Sequence, residues 1–208
     1  MIDENGNRRP LKTRGKKWVK KLTGILLKTN IQPDQISILG MVFAVLAAIS
    51  FYLARQSGFS ACFFFAAVFI QLRLLCNMMD GLIAVEGNRK SPLGDMFNEI
   101  PDRYEDIVIL AAAGYASGHF VLGWVAATLA VLSAYLRAFG ASLGTKQYFI
   151  GPMAKPHRMF VLTVSCLIEL FMQNHGMALT LGLAIIIVGL LITDHRRRVF
   201  IARDEKEQ

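Results

Sequence analysis

Seven of the 15 acidic residues of this chain lie between Asp80 and Asp106, where one strongly apolar segment ends and another begins. Helical spacing sorts the polar and small residues of this stretch onto two faces: Asn77, Asp80, Gly81 and Ala84 on the first, and Gly94, Asn98 and Asp102 on the second. Carboxylate and amide oxygens that converge from two helices suit a hard cation such as Mg²⁺, which in turn binds phosphates. Interhelical hydrogen bonding with tight Gly and Ala packing is the alternative reading of the same spacing.

The elements that must position these residues are membrane helices. The chain has 208 residues, 54% of them hydrophobic, and its charges are confined to blocks between long uncharged runs. A spanning helix needs about 20 apolar residues. The sequence predicts an all-α integral membrane protein with six spans: 35–54, 60–85, 94–115, 119–140, 158–173 and 177–193.

Two flanking segments complete the predicted organisation. Residues 1–34 form a cytoplasmic segment, in which Trp18, Leu22, Ile25 and Leu26 recur at helical spacing among lysines and predict an amphipathic helix on the inner leaflet. Residues 35–193 form the six-helix domain, and residues 194–208 form a charged cytoplasmic tail.

The basic residues predict the orientation. Both termini and the loops at 86–93 and 141–157 fall on one side of the membrane and, with Arg158, hold most of the 23 Lys and Arg residues. The opposite loops hold Arg55. The positive-inside rule places both termini and the acidic stretch at the cytoplasmic face of the inner membrane. The net charge of +8 then reflects topology and attraction to anionic lipids, and not nucleic-acid binding.

The acidic stretch resembles the signature of the CDP-alcohol phosphotransferases. That signature reads D-x-x-D-G-x-x-A-R, about eight residues, then G-x-x-x-D-x-x-x-D. Asp80-Gly81-x-x-Ala84 and Gly94-x-x-x-Asn98-x-x-x-Asp102 agree with it in spacing. The six spans, the cytoplasmic termini and the amphipathic N-terminal helix are also similar to the architecture of that family.

The resemblance implies a reaction. An acceptor hydroxyl attacks the phosphorus next to the alcohol of a CDP-alcohol, often CDP-diacylglycerol, and CMP leaves, in phospholipid biosynthesis. One or two Mg²⁺ or Mn²⁺ ions bind the diphosphate and neutralise its charge. By position, the implied metal ligands are Asp80, Asp102, Asn77 and Asn98, and Asp102 is also the implied general base. The implied contacts of the CDP moiety are Gly81, Ala84, Gly94 and Ser37. A homodimer is also implied.

The chain departs from the signature at three positions. Asn77 and Asn98 stand where two of the motif aspartates are expected, and Val85 stands in place of the arginine. An amide oxygen can ligate a hard cation, but it brings no charge. Three arrangements are open: a single metal, two metals bound only together with the substrate diphosphate, or replacement of the missing charge by Glu99 or Asp95.

A second likeness concerns the acceptor. The runs AYLRAFG and GPMAKPHRMFV are similar to the Y-[VL]-R-A and R-P-x-R elements of the phosphatidylinositol-phosphate synthase branch. Arg137, Lys155 and Arg158 fall at their basic positions, and the resemblance implies that they bind the phosphate of a phosphorylated alcohol. Lys155 and Arg158 also fit plain positive-inside flanking of a span.

Three functions are open at this point. The first is a metal-dependent CDP-alcohol phosphotransferase that uses a small alcohol or phospho-alcohol as acceptor. The second is a catalytically silent homologue that binds nucleotide or lipid, which the two asparagines suggest. The third is a small transporter, which fits less well because the polar residues gather at one face of the membrane and not at its midplane.

Overall fold

The computed structural model describes residues 17–89, 94–145, 149–172 and 176–207, with the side chains of 95, 97, 98, 206 and 207 outside that description. Its described residues form seven helices: α1 (Lys17–Leu27), α2 (Pro33–Ser57), α3 (Ala61–Glu86), α4 (Gly94–Ala116), α5 (Phe120–Ser142), α6 (Lys155–Met172) and α7 (Met177–Glu207). The expectation of an all-helical chain is confirmed.

Four of these helices, α2, α3, α5 and α7, are long and apolar enough to cross a membrane. α6 has 18 residues. α4 carries several charged side chains along its 23 residues, and two of them, Glu105 and Asp106, point into the bundle. The outside of the bundle is apolar: Phe171 is 81% exposed and Val121 71% exposed. An apolar exterior with a charged interior is the pattern expected of a bundle surrounded by lipid.

Local sequence sets the limits of the helices. Pro33 begins α2, where a missing N–H is tolerated, and the Gln35 side chain accepts a 3.0 Å hydrogen bond from the Gln32 backbone N–H. Gly58 ends α2 with a φ of +67°, a left-handed conformation that glycine adopts without strain.

Close packing fixes how the helices cross. A Cβ at Gly114 of α4 would stand 2.5 Å from the Gly123 Cα of α5, so glycine on both helices lets their backbones touch. α5 also buries small residues further along its length, where Ala126, Ala127 and Ala130 are at most 1% exposed. The acidic stretch lies in the other, N-terminal half of α4, whose position relative to α2 and α3 depends on this crossing.

Two helices differ from the sequence parse. α7 continues through residues 194–207, for which the sequence predicts a charged tail. The helix continues because this segment lacks Gly and Pro and because Ile201 packs against Gly140 of α5. α1 buries Val19 and Thr23 against α3, while Trp18 and Ile25 of the predicted apolar face stay about half exposed.

Candidate active site

Asp80 anchors the candidate site on α3. This side chain is buried, and its Oδ2 accepts a 2.8 Å hydrogen bond from the Ser37 hydroxyl of α2. Its Oδ1 accepts a bond from the backbone N–H of Gly81. Ser37 therefore contacts a predicted metal ligand, whereas the sequence likeness implies a role for it near the nucleotide.

Asp102 of α4 meets two nitrogen donors. The Asn77 Nδ2 of α3 lies 2.6 Å from Asp102 Oδ1, and the Lys155 ammonium at the start of α6 forms an ion pair with the same oxygen. Asp102 thus joins three helices at one point.

A buried ion-pair network lies behind Asp102. Arg73 of α3 is fully buried and donates to Glu105 and, over 2.9 Å, to Asp106 Oδ1. It also donates to the Asp102 backbone carbonyl over 3.2 Å. The other oxygen of Asp106 accepts from Arg158 of α6 over 2.5 Å. The network connects α3, α4 and α6 and fixes the backbone that carries Asp102.

A basic pocket of about 190 Å³ opens beside Asp102 and Asn77. Its charged lining residues are five basic and two acidic: Arg103, Arg137, Lys155, Arg158, Arg197, Glu99 and Asp102. The structure therefore brings the three predicted acceptor residues into one pocket. The excess of cations suits an anionic ligand, and a guanidinium can bind a phosphate through two N–H groups.

Glu99 lies at the rim of this pocket, paired with two arginines. It forms ion pairs with Arg103 and, at 2.5 Å, with Arg137, and its side chain is 51% exposed. Arg137 also stacks over the Phe149 ring, 5.2 Å from the ring centroid. In this arrangement Glu99 orients Arg137.

An apolar groove of about 640 Å³ adjoins the basic pocket. It lies between α1, α3 and α6, with Trp18, Val68 and Leu167 among its lining residues. Leu74, Met78 and Pro156 line both cavities, so a ligand can extend from the polar pocket into the apolar groove. Such a pair of cavities matches a molecule with a charged head and an aliphatic tail.

The other predicted residues lie on the same helices. Gly81 and Ala84 are half-buried on α3, and Gly94 begins α4. Asn98 and Asp95 belong to α4, but their side chains lie outside the described part of the structure.

The side chains of the candidate site supply only part of the ligand set that a hard cation needs. Among the described residues there is no cluster of three or more His, Cys, Asp and Glu side chains placed to hold a metal ion. Asp80 and Asp102 nevertheless supply carboxylates from facing helices, and Mg²⁺ is commonly bound by one or two carboxylates together with water and substrate phosphates. The residues therefore fit a metal whose ligand set a phosphate-bearing substrate completes.

Arg73, Glu105 and Arg197 were not anticipated from the sequence. Arg73 did carry a signal, since it is the one basic residue in the predicted span 60–85 and a charge inside a bilayer needs a partner. Arg197, by contrast, sits in an ordinary-looking basic cluster. In the structure it is buried and donates to the Ser133 hydroxyl over 3.0 Å.

Comparison with known proteins gives a family match over most of the chain. The family model described as CDP-alcohol phosphatidyltransferase matches residues 30–193. The archaetidylinositol phosphate synthase of Aeropyrum pernix is 29% identical over 133 residues, which are 64% of this chain and 67% of that protein. The phosphatidylinositol phosphate synthase of Streptomyces avermitilis is 25% identical over 193 residues, covering 88% and 77%.

Solved structures of one further protein share the fold. The phosphatidylinositol phosphate synthase of Mycobacterium tuberculosis with CDP-DAG bound superposes with a TM-score of 0.71 at 19% identity, over 87% of this chain and 92% of that one. The same protein in complex with manganese and citrate gives a TM-score of 0.70 at 19% identity, over 87% of both chains. At this identity the likeness shows the fold alone.

Proposed function

The chain belongs to the CDP-alcohol phosphatidyltransferase family, and we propose that it transfers a phosphatidyl group from CDP-diacylglycerol to the hydroxyl of a phosphorylated alcohol, with release of CMP. The observation that carries this proposal is the junction of Asp102, the basic pocket and the apolar groove. A donor with two acyl chains fits the groove, and a phosphorylated acceptor fits the pocket. Phospholipid synthesis is the process that such a reaction serves.

Asp80 and Asp102 are the proposed metal ligands, together with the substrate diphosphate. Asn98 is a further proposed ligand. Glu99 is proposed instead to hold Arg137, with which it forms an ion pair, and the role of Asn77 is developed below. A bound Mg²⁺ or Mn²⁺ supplies positive charge against the diphosphate and its leaving group. Ser37 and the Gly81 N–H each hold one oxygen of Asp80, which keeps that carboxylate in place before the substrate arrives.

Asp102 is the proposed general base. Its carboxylate takes the proton of the acceptor hydroxyl while the acceptor oxygen forms a new bond to the phosphorus that bears the diacylglycerol. The bond between that phosphorus and the bridging oxygen of the diphosphate breaks, and CMP leaves with the bridging oxygen. Lys155 contacts Asp102 and lines the acceptor pocket, so an acceptor phosphate that binds Lys155 also frees Asp102 from its ion pair.

Arg137 and Arg158 are the other proposed ligands of the acceptor phosphate. Arg137 is held by Glu99 and Phe149, and Arg158 is held by Asp106 and by the Met153 carbonyl, which accepts over 3.2 Å. Because both guanidinium groups are fixed in advance, little side-chain entropy is lost when the phosphate binds.

The proposed membrane arrangement has six spans, α2 to α7, with α1 lying on the inner leaflet. The exposed Trp18 and Ile25 of α1 suit the interface, and the distribution of basic residues favours a site at the cytoplasmic face. The homodimer expected from the resemblance is part of this proposal, and native mass spectrometry in mild detergent tests it.

The test is CMP release by the purified protein in lipid nanodiscs. CDP-diacylglycerol is offered with matched pairs of acceptors, inositol and inositol phosphate, and glycerol and glycerol phosphate, with Mg²⁺ or Mn²⁺. We expect release with a phosphorylated member of a pair, and Lys155→Met should raise the KM for that acceptor. Arg55→Met, which removes a cation from the opposite side, is the matched control. Equal rates of CMP release with the phosphorylated and the unphosphorylated member of each pair would contradict the proposed binding of the acceptor phosphate in the pocket.

One observation favours a second function, that of a silent homologue that binds the donor. Asn77 and Lys155 already occupy Asp102, so the carboxylate has partners without any metal. Binding of CDP-diacylglycerol with no CMP release from any acceptor would establish this function in place of the transferase.

A further inference from the structure

Glu105 is a buried carboxylate that the family signature does not include. It lies on α4 one turn after Asp102 and is 2% exposed. Its Oε2 accepts hydrogen bonds from the Arg73 Nε and, over 3.1 Å, from the Asn77 Nδ2. No described residue forms a hydrogen bond with its Oε1, and a Cβ at Gly40 of α2 would stand 3.0 Å from that oxygen. A charged group in such a place calls for a reason.

The position of Glu105 determines which way the Asn77 amide faces. One terminal atom of Asn77 lies 2.6 Å from Asp102 Oδ1 and 3.1 Å from Glu105 Oε2. Ionised carboxylates only accept hydrogen bonds, so the atom between them must be the amide nitrogen, with one N–H for each. The Asn77 Oδ1 faces Gly40 instead, 3.2 Å from where a Cβ would stand.

Arg73 offsets the electrostatic cost of burying the Glu105 carboxylate. A lone carboxylate inside a helix bundle is strongly unfavourable, whereas a hydrogen-bonded pair with a guanidinium is tolerated. Arg73 and Glu105 together carry no net charge, so the pair adds a fixed hydrogen-bond acceptor beside Asn77 without changing the total charge of the site.

On the basis of the proposed function, we propose that Glu105 is a positioning residue for Asp102. It accepts one N–H of Asn77 and thereby keeps the other N–H on the Asp102 carboxylate, while Arg73 serves as its counter-ion. Asn77 then acts as a hydrogen-bond donor that orients a metal ligand, and does not itself bind the metal. Two carboxylates beside residue 77 therefore favour an N–H donor over a third carboxylate at this motif position.

Two double variants with equal net charge test this role. Arg73→Met with Glu105→Gln keeps a side-chain oxygen that can accept from Asn77, and Arg73→Met with Glu105→Leu removes it. Both variants lose the Arg73–Glu105 pair completely, and both leave Asp106 with Arg158 as its partner. The loss of Arg73 is therefore common to the two variants, and they differ in the acceptor at residue 105. The affinity for Mn²⁺ is measured by electron paramagnetic resonance on the full chain in nanodiscs, with CDP present to supply a diphosphate.

We expect the leucine variant to bind Mn²⁺ about tenfold or more weakly than the glutamine variant, as is common when a group that orients a ligand is removed. The kcat should fall in the leucine variant in parallel. Glu169→Gln is the control for loss of a buried carboxylate elsewhere, because Glu169 accepts backbone N–H groups at the start of α7. The melting temperature of this variant should fall, with no change in its Mn²⁺ affinity.

Two results would overturn the inference. Equal Mn²⁺ affinities in the two double variants, whether both kept or both lost, would show that the acceptor at residue 105 does not act on Asp102. Absence of Mn²⁺ binding by the wild type would refute the proposed metal site and this inference with it. The first result leaves the proposed function intact, so the two failures are distinguishable.

Discussion

Asp106 is the residue on which the rigidity of the candidate site most depends, and Asp106→Asn tests that dependence. The carboxylate is 1% exposed and accepts from Arg73 over 2.9 Å and from Arg158 over 2.5 Å. Asparagine has the same shape, but it is neutral and turns an N–H₂ group toward one of the two arginines. Both guanidinium groups then remain buried with less compensation than before.

The size of the effect follows from the burial of the pair. Removal of one partner of a buried ion pair typically costs about 3–5 kcal/mol. For a chain of this length, 1 kcal/mol corresponds to about 2–4 °C in melting temperature, so we expect a decrease of about 6–20 °C. Asp34→Asn is the matched control, because Asp34 lies in the first turn of α2 and is worth at most about 1 kcal/mol there.

The buried cysteines supply the assay. Cys76 and Cys166 are buried, so a thiol-reactive fluorophore reports unfolding as they become accessible, and Cys62→Ala removes the background from the less buried thiol. If Asp106→Asn melts within about 2 °C of the Asp34→Asn control, the network does not hold α3, α4 and α6 together and our reading of it is wrong.

Three other changes have defined outcomes. Glu99→Gln should leave Mn²⁺ affinity unchanged and raise the KM for the acceptor, because Glu99 binds Arg137; a loss of Mn²⁺ binding would make Glu99 a metal ligand after all. Gly40→Ala places a Cβ 3.0 Å from the Glu105 Oε1, so kcat should fall while the KM for the donor changes little, and an unchanged kcat would contradict this packing. Val68→Trp fills the apolar groove and should raise the KM for long-chain CDP-diacylglycerol more than for a short-chain analogue, whereas equal effects would place the acyl chains elsewhere.

The positions of the helices could be predicted from the sequence because helix limits depend on residues that are close together in the chain. The apolar run predicts a helix at 35–54, close to the observed limits of α2, and the motif spacing is enough to place Asp80 and Asp102 on α3 and α4. Helical periodicity alone puts Asn77 and Asp80 on one face, since it depends only on residues a few positions apart.

The partners of the charged residues could not be predicted in this way. Arg73 was visible as a charge in an apolar span, but its partners Glu105 and Asp106 lie more than 30 positions later, on a helix whose rotation is set by packing. The glycine contact between α4 and α5 sets the rotation of α4, and this contact is visible only in the folded structure. The same limit applies to α7. Its basic segment was predicted to be a charged tail, whereas in the structure Ile201 and Arg197 pack against α5.

The most direct test of the central claim is to identify the lipid formed from CDP-diacylglycerol and a phosphorylated polyol, by mass spectrometry, with wild-type protein and with Asp102→Asn in nanodiscs. We predict a phosphatidyl polyol phosphate in an amount equal to the CMP released, dependent on Mg²⁺ or Mn²⁺ and lost in the variant. Formation of the same lipid at an undiminished rate by Asp102→Asn, or the absence of any lipid product with the wild type, would contradict the account.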